Sequence, residues 1–204
     1  MMTPKAATPK PESTEATEAP RRADAVRNRE RVINAAEEVF GEQGIEAGIP
    51  DIAERAGVGK GTVYRNFETK DDLVSAVLAA RTTRFNESIV EAIEQDDSWV
   101  AFRELLSEAV AGKMRHGRNI LGLYYPHATG DDLLEARARS QELLGKLMGQ
   151  AMEQGKMRKD ARPTDVSVLF GGICRVLNDQ SVDEPKIWKR HADQVVDAFR
   201  VQPA

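Results

Sequence analysis

The chain has 204 residues, of which 41% are hydrophobic and 30% charged, and its net charge is −4. This is the composition of a globular protein, and no run approaches the ~20 consecutive apolar residues of a membrane span. The single cysteine, Cys174, excludes an internal disulfide framework and a multi-cysteine metal cluster. No apolar segment of the secretory type stands near residue 1, so we predict a cytoplasmic protein. We also predict that it uses no metal or other cofactor.

The chain opens on a segment that has little to bury. Residues 1–22 are rich in Pro, Thr, Ala, Glu and Lys, which predicts a disordered tail. Beyond this tail, apolar residues recur at helical spacing, and no run alternates as a strand does. The pattern predicts an all-α fold of about nine to ten helices, near 24–43, 50–56, 60–66, a helix that opens at 69, then 84–95, 98–115, 118–128, 131–155, 164–180 and 184–200.

Two signals mark helix ends in the first third of the chain. Gly44 follows the first predicted helix and supplies a stop. Thr69, with Asp72 three residues later, matches a capping box and predicts the start of the next helix.

Residues 48–67 have the pattern of a helix-turn-helix. Ala56 is small enough for a second helix to cross closely, and Gly57 can take the left-handed conformation that the turn requires. The second helix then buries Val63 and Phe67. Such a helix can lie in a DNA major groove with its first turn near the base edges, and its exposed residues are Lys60, Gly61, Thr62, Tyr64 and Arg65.

These residues resemble a known family. Residues 51–73, together with Gly44 and the preceding helix at 29–44, look like the TetR family of bacterial repressors, and the resemblance is strong over about 24–82. It implies a DNA-binding domain with three helices at 23–84. Over the rest the resemblance is one of layout and implies a larger helical effector-binding and dimerisation domain at 85–204.

The resemblance also implies roles for single residues. Lys60, Gly61 and Thr62 match positions that approach bases, and Tyr64 and Lys70 match positions that contact phosphates. The full set of predicted DNA-binding residues is Lys60, Gly61, Thr62, Tyr64, Arg65, Asn66, Lys70 and Arg29.

The sequence departs from the family pattern at two places. Asn66 stands where the family often has His, although its amide can still donate a hydrogen bond to a phosphate. Gly48 and Ile49 replace the common Thr cap of the second helix, which is expected to soften that helix by about 1 kcal/mol.

The C-terminal part predicts an effector pocket and a dimer interface. Aromatic and sulfur-containing side chains at helical spacing favour an apolar or aromatic small molecule as the effector; the candidate lining residues are Trp99, Phe102, Met114, Tyr124, Tyr125, Met148 and Cys174. Plain core is the alternative for each of them. The resemblance implies that the last two helices pair with those of a second copy, so the candidate interface residues are Gly171, Gly172, Trp188, Val195 and Phe199.

The sequence therefore predicts a DNA-binding regulator, released from a palindromic operator by a small molecule. An activator or an effector-independent regulator is the alternative within this class, and a protein-interaction module without DNA binding is the less favoured one. An enzyme is not expected, because His116, His127 and His191 stand far apart with no acidic partner at metal spacing. The glycines around Lys60 do not form a phosphate loop, since Lys60 precedes Gly61 and a helix precedes the turn.

Overall fold

The computed structural model describes residues 15–115, 128–182 and 184–201. In these ranges the chain forms eight α-helices and no strand, which confirms the all-α fold. The helices are α1 (Glu15–Gln43), α2 (Ile49–Ala56), α3 (Lys60–Asn66), α4 (Lys70–Ile93), α5 (Ser98–Arg115), α6 (Asp131–Glu153), α7 (Pro163–Asp179) and α8 (Pro185–Asp197).

The buried apolar side chains form two cores. The N-terminal core joins α1 to α3 with the first turns of α4, and Phe40, Ile52 and Leu73 lie at its centre with no exposed surface. The C-terminal core joins α5 to α8 with the end of α4, and Phe102 and Phe199 are fully buried there. The sequence predicts an N-terminal helical unit and a larger C-terminal one, and the boundary between them at residue 84 stays a prediction.

Helix α6 contributes to both cores, which the sequence did not indicate. Leu133, near its start, is fully buried in the N-terminal core together with Ala128 just before the helix. Leu147, further along, is fully buried in the C-terminal core. Helix α4 spans the two cores in the same way, so these two helices connect the N-terminal unit to the rest of the molecule.

Helix α1 begins at Glu15, nine residues before the predicted start. Residues 15–22, which the sequence analysis assigned to a disordered tail, are therefore helical. Glu, Ala and Arg are strong helix formers, and acidic residues in the first turn favour the positive end of the helix dipole. Pro20 lies within this extension, near the start of the helix. The prediction relied on buried apolar residues and so missed a polar extension of the helix.

Helix α4 runs without a break through residue 84, where the sequence analysis placed a separate helix and a domain boundary. Neither Gly nor Pro interrupts residues 70–93. Two arginines of this stretch pair with α1: Arg84 Nη2 lies 2.5 Å from Glu37 Oε2, and Arg81 Nε lies 3.5 Å from Glu37 Oε1. The helix predicted at 118–128 falls almost wholly outside the described residues.

The segment after α8 is tied to the loop between α6 and α7. Arg158 N donates to Phe199 O at 3.0 Å, and Val201 N donates to Lys156 O at 3.3 Å. The Arg200 guanidinium lies 5.4 Å from the centre of the Trp99 ring.

Among the described helices, none is long and apolar enough to cross a membrane.

Candidate nucleic-acid interface

Helices α2 and α3 form the predicted helix-turn-helix. Gly57 has φ +64° and ψ +36°, the left-handed conformation that ends α2, and Val58 N donates to Ala53 O at 3.0 Å to close the turn. Helix α3 then begins at Lys60 and buries Val63, while Phe67 follows it and is also buried. The turn fixes how α3 leaves α2, and the two apolar residues hold α3 on the N-terminal core.

The start of α2 has no capping side chain, as the sequence indicates. Gly48 stands at the cap in an extended conformation, and Pro50 occupies the first turn, where a missing N–H matters little. Asp51 supplies part of a cap, because its Oδ2 accepts a hydrogen bond from the Gly48 N–H at 3.3 Å. This contact compensates in part for the absent Thr.

The outer face of α3 is open to solvent. Lys60, Gly61, Tyr64 and Arg65 are exposed, with Tyr64 at 54%, and Thr62 is half-buried. An added Cβ at Gly61 would have no atom within 4 Å, so nothing on the protein side prevents another molecule from approaching the helix backbone there. The predicted base-reading residues therefore share an unobstructed surface.

Thr62 is the centre of a small hydrogen-bonding group on this face. Arg65 Nη2 donates to Thr62 Oγ1 at 2.8 Å, which leaves the hydroxyl hydrogen of Thr62 available to an outside acceptor. Asn66 Nδ2 donates to the Thr62 carbonyl at 2.7 Å. The Asn66 amide, which the sequence analysis assigned to a phosphate, thus already forms a hydrogen bond within α3. Its main contact in the structure stabilises the end of that helix.

Two further predicted residues lie at the end of α3. Lys70 is the first residue of α4, and its Nζ lies 6.0 Å from the centre of the Phe40 ring. Arg29 of α1 places its guanidinium 5.0 Å from the centre of the Phe67 ring. Both contacts are typical of cation–π geometry and hold the two cations near the C-terminal end of α3.

The capping box at the start of α4 forms as predicted. Asp72 N donates to Thr69 Oγ1 at 3.1 Å, and Thr69 N donates to Asp72 Oδ2 at 2.9 Å. The helix start that carries Lys70 is therefore capped, and the positive end of the helix dipole adds to the charge of Lys70.

Arg55 differs from the other cations of the motif. Its guanidinium donates to Glu42 of α1 at 2.7 Å and to Glu38 at 3.0 Å. The hydrogen bond to Glu42 raises the pKa of Arg55 further above its ordinary value and lowers the pKa of the Glu42 carboxyl. From sequence spacing alone, Arg55 belongs to the basic residues of the motif. In the structure its side chain instead joins α2 to α1 through ion pairs.

A cleft of about 380 Å³ lies where the end of α3 meets the start of α6. Asn66 and Phe67 line it from the N-terminal side, and Gly130 and Leu133 line it from the other. A second cleft, of about 350 Å³, follows α4 and α6 past Asn86. The sequence analysis identified neither cleft, because residues far apart in the chain form them.

The predicted effector-pocket residues that the structure describes are core residues. Trp99, Phe102, Met148 and Cys174 are at most 6% exposed, and they line neither of the two clefts. The rings of Trp99 and Phe102 pack on each other, with 6.1 Å between their centres. The alternative interpretation as plain core describes these four residues. The Met114 side chain, Tyr124 and Tyr125 lie outside the described residues.

Three of the predicted interface residues are also core residues. Trp188, Val195 and Phe199 are at most 5% exposed within a single chain, because α8 turns its apolar side toward α5 and α7. Trp188 Nε1 donates to Val182 O at 2.6 Å. They leave too little surface for a partner, so their assignment to an interface is corrected. Gly171 is buried, whereas Gly172 faces open space on α7.

This arrangement defines a helix-turn-helix DNA-binding protein with a larger helical domain, and comparison with known proteins agrees. Residues 32–77 match the bacterial regulatory proteins of the tetR family. The HTH-type transcriptional regulator SrpR of Pseudomonas putida is 30% identical over 161 residues, which make up 76% of each chain.

Solved structures give the same result. A TetR transcription regulatory protein from Mycobacterium vanbaalenii is 30% identical with a TM-score of 0.54, covering 79% of this chain and 98% of its own. A structure described as the molecular basis for control of antibiotic production by bacterial hormones is 25% identical with a TM-score of 0.62. The match covers 86% of this chain and 99% of the other. The chain belongs to the TetR family, and it is a DNA-binding transcriptional regulator.

Proposed function

We propose that this protein is a repressor that binds a palindromic operator as a homodimer and is released by a small molecule. The observation that carries the proposal is the open face of α3, where Lys60, Gly61 and Thr62 stand in the first turn without obstruction. A regulator of this kind acts in the cytoplasm, where its operator is, and needs no catalytic group.

On the operator, α3 enters the major groove. Lys60 and Thr62 donate hydrogen bonds to base edges, and the missing side chain of Gly61 lets the helix approach closely. Tyr64, Lys70 and Arg29 contact phosphates on either side and set the orientation of the helix, as does Arg65. Asn66 supports the end of α3 through its bond to Thr62 O and offers its second N–H to a phosphate.

The dimer forms through the exposed apolar side of α7. Val168, Leu169 and Val176 are 63%, 40% and 52% exposed, and Gly172 lies between them with open space beside it. Val168, Gly172 and Val176 follow one another at four-residue spacing and share one face with Leu169 at its edge, and the glycine lets a second helix pack closely. Exposed apolar patches of this kind mark association surfaces. This surface replaces the buried residues of α8 as the proposed interface.

The effector is an apolar or aromatic small molecule that binds in the C-terminal domain. It favours a dimer in which the two α3 helices no longer match adjacent grooves ~34 Å apart. Only a molecule that prefers the DNA-free form has this effect. The support is the family membership and the apolar character of the C-terminal core.

The operator model is tested by selecting bound duplexes from random DNA with the full chain. We expect the selected sequences to share an inverted repeat with half-site centres one helical turn apart, or a multiple of it. Footprinting on the best sequence should protect both half-sites. Protection of one asymmetric half-site alone would contradict the dimer model, and the absence of any enriched sequence would contradict the specific binding.

The effector is tested by a paired measurement on a panel of apolar and aromatic compounds. A true effector stabilises the free protein, by about 2.7 kcal/mol at a hundredfold excess over Kd, and also weakens operator binding. A compound that stabilises the protein but leaves operator affinity unchanged only occupies a cavity. If no compound does either, a small-molecule effector of this class is wrong.

A further inference from the structure

Helices α4 and α6 are the mechanical connection between the α2–α3 motif and the C-terminal core. Leu73 and Leu78 of α4 lie with Leu133 of α6 in the N-terminal core. Ile89 of α4 and Leu147 of α6 lie in the C-terminal core. A shift of α4 along α6 would therefore disturb the packing of the two helices in both cores, including the N-terminal core on which α3 rests.

A buried polar pair lies between the two cores, where α4 contacts α6. Asn86 of α4 and Ser140 of α6 are each 8% exposed. Asn86 Nδ2 donates to the Ala136 carbonyl of α6 at 3.0 Å, and Ser140 Oγ donates to Asn86 Oδ1 at 2.5 Å. Ala136 O also lies 3.1 Å from Ser140 Oγ. Both polar ends of the Asn86 amide are thus bonded to the neighbouring helix.

Such a pair selects one alignment of the two helices. Apolar contacts are non-directional, so the leucines on either side tolerate small slides. Hydrogen bonds of these two kinds tolerate only about 2.5–3.2 Å between their heavy atoms, and one residue of a helix already rises by about 1.5 Å. A slide would leave Asn86 and Ser140 buried without these partners, which is unfavourable. A single buried Asn fixes the register of coiled coils for the same reason.

We propose that Asn86 and Ser140 are positioning residues for operator binding. They hold α4 and α6 in the register that places α3 for DNA, and without them other registers become populated. This inference rests on the proposed function, in which the form without effector is the one that binds the operator. It assigns the specific side chains that resist the effector-induced change.

Other buried serines provide matched controls. Ser98 of α5 is 1% exposed and connects α5 to α6, since Gln154 Nε2 donates to Ser98 Oγ at 3.2 Å and Ser98 Oγ donates to Gln150 Oε1 at 3.4 Å. It reaches α4 only through Gln150, whose Nε2 donates to Ile93 O at 3.4 Å. Ser75 is 7% exposed and donates to Asp71 O of its own helix at 2.8 Å. Ser98→Ala removes a buried bond between helices, and Ser75→Ala removes one within α4. Neither serine is itself hydrogen-bonded across the contact between α4 and α6.

The test compares Asn86→Ala, Ser140→Ala and their double variant with the two controls, all as full chains. Circular dichroism and the melting temperature report the fold. The probe is the duplex selected with the unaltered protein, so if that protein selects no duplex the proposed function fails before the inference is tested. Ser140→Thr, which keeps the hydroxyl, serves as the rescue variant.

We expect Asn86→Ala and Ser140→Ala to be folded and to bind the duplex at least about fivefold more weakly than the unaltered protein. The double variant should bind no more weakly than Asn86→Ala, because Asn86→Ala alone already removes both hydrogen bonds of the pair between α4 and α6. Ser98→Ala and Ser75→Ala should bind within about twofold although they also lose stability, and Ser140→Thr should recover most of the affinity.

Equal affinity of the folded pair variants and the controls would overturn the proposal. A loss in Ser98→Ala as large as in Ser140→Ala would also overturn it, because any buried bond would then have the same effect. If neither Asn86→Ala nor Ser140→Ala folds, the pair is a requirement of folding and the positioning role is wrong.

Discussion

The basic side chains of the α2–α3 motif fall into two groups that sequence spacing does not separate. Arg55 is held by two carboxylates of α1, so it contributes little free positive charge. Lys60 and Arg65 are exposed on α3, and Lys70 stands at the start of α4. The proposed DNA-binding surface therefore relies on the second group.

Thr62→Ala and Lys70→Ala should impair DNA binding in different ways. Loss of a base-edge contact relaxes the sequence preference, whereas loss of a phosphate contact weakens all sequences alike and lowers the salt slope by about 1 unit. Titrations of selected and scrambled duplexes at several salt concentrations separate the two. If Lys70→Ala changes the preferred bases and keeps the salt slope, the assigned roles are wrong.

Arg55→Gln should change stability and leave the salt slope of DNA binding unchanged. The bond from Arg55 lowers the pKa of Glu42. A depressed pKa in the folded state stabilises the protein above the unfolded-state pKa of about 4.3, and this contribution is lost as the pH falls further. Urea unfolding across pH 3–7 should thus show a shallower acid dependence in Arg55→Gln. An unchanged acid dependence would argue against the ion pair.

At the scale of whole elements, the turn between α2 and α3 depends on one backbone conformation. Gly57→Ala should destabilise the protein by about 1–2 kcal/mol, because a Cβ is unfavourable at φ +64°. Gly149→Ala is the matched control: Gly149 lies inside α6 with no atom within 4 Å of an added Cβ. That change should stabilise by up to about 1 kcal/mol. Chemical denaturation measures both, and equal signs would contradict the argument.

The sequence sufficed for features that depend on neighbouring residues. The turn at Gly57, the cap at Thr69 and the buried Val63 all follow from spacing within a few positions. The sequence was insufficient where the deciding contacts join distant residues. Asn86 and Ala136, for example, are 50 positions apart, and no periodic pattern marks such a pair. Likewise, an apolar stripe on α8 looks the same whether it faces the chain's own core or a partner.

At the scale of the whole molecule, α7 presents two different faces. One face packs into the C-terminal core with Phe170, Cys174 and Leu177. The other exposes Val168 and Val176 to solvent. In a monomer this second, apolar face would stay in contact with water, so we place the proposed dimer interface there.

Val176→Asp should separate the dimer without unfolding the chain, because Val176 is 52% exposed in the single chain. Sedimentation should show a monomer, and operator affinity should fall by at least about a hundredfold as the two reading heads become independent. Leu134→Asp, at an equally exposed apolar position of α6 (51%), is the control and should remain dimeric. A dimeric Val176→Asp protein would place the interface elsewhere.

The burial of Cys174 has a practical consequence. Its thiol is 1% exposed and is the only one in the chain, so it reacts with an alkylating reagent only when the C-terminal core opens locally. Its alkylation rate, followed by mass spectrometry, therefore reports how often the C-terminal core opens. An effector that binds within this core should lower the alkylation rate of Cys174. Operator DNA, which on our proposal contacts α3, should change that rate only through α4 and α6.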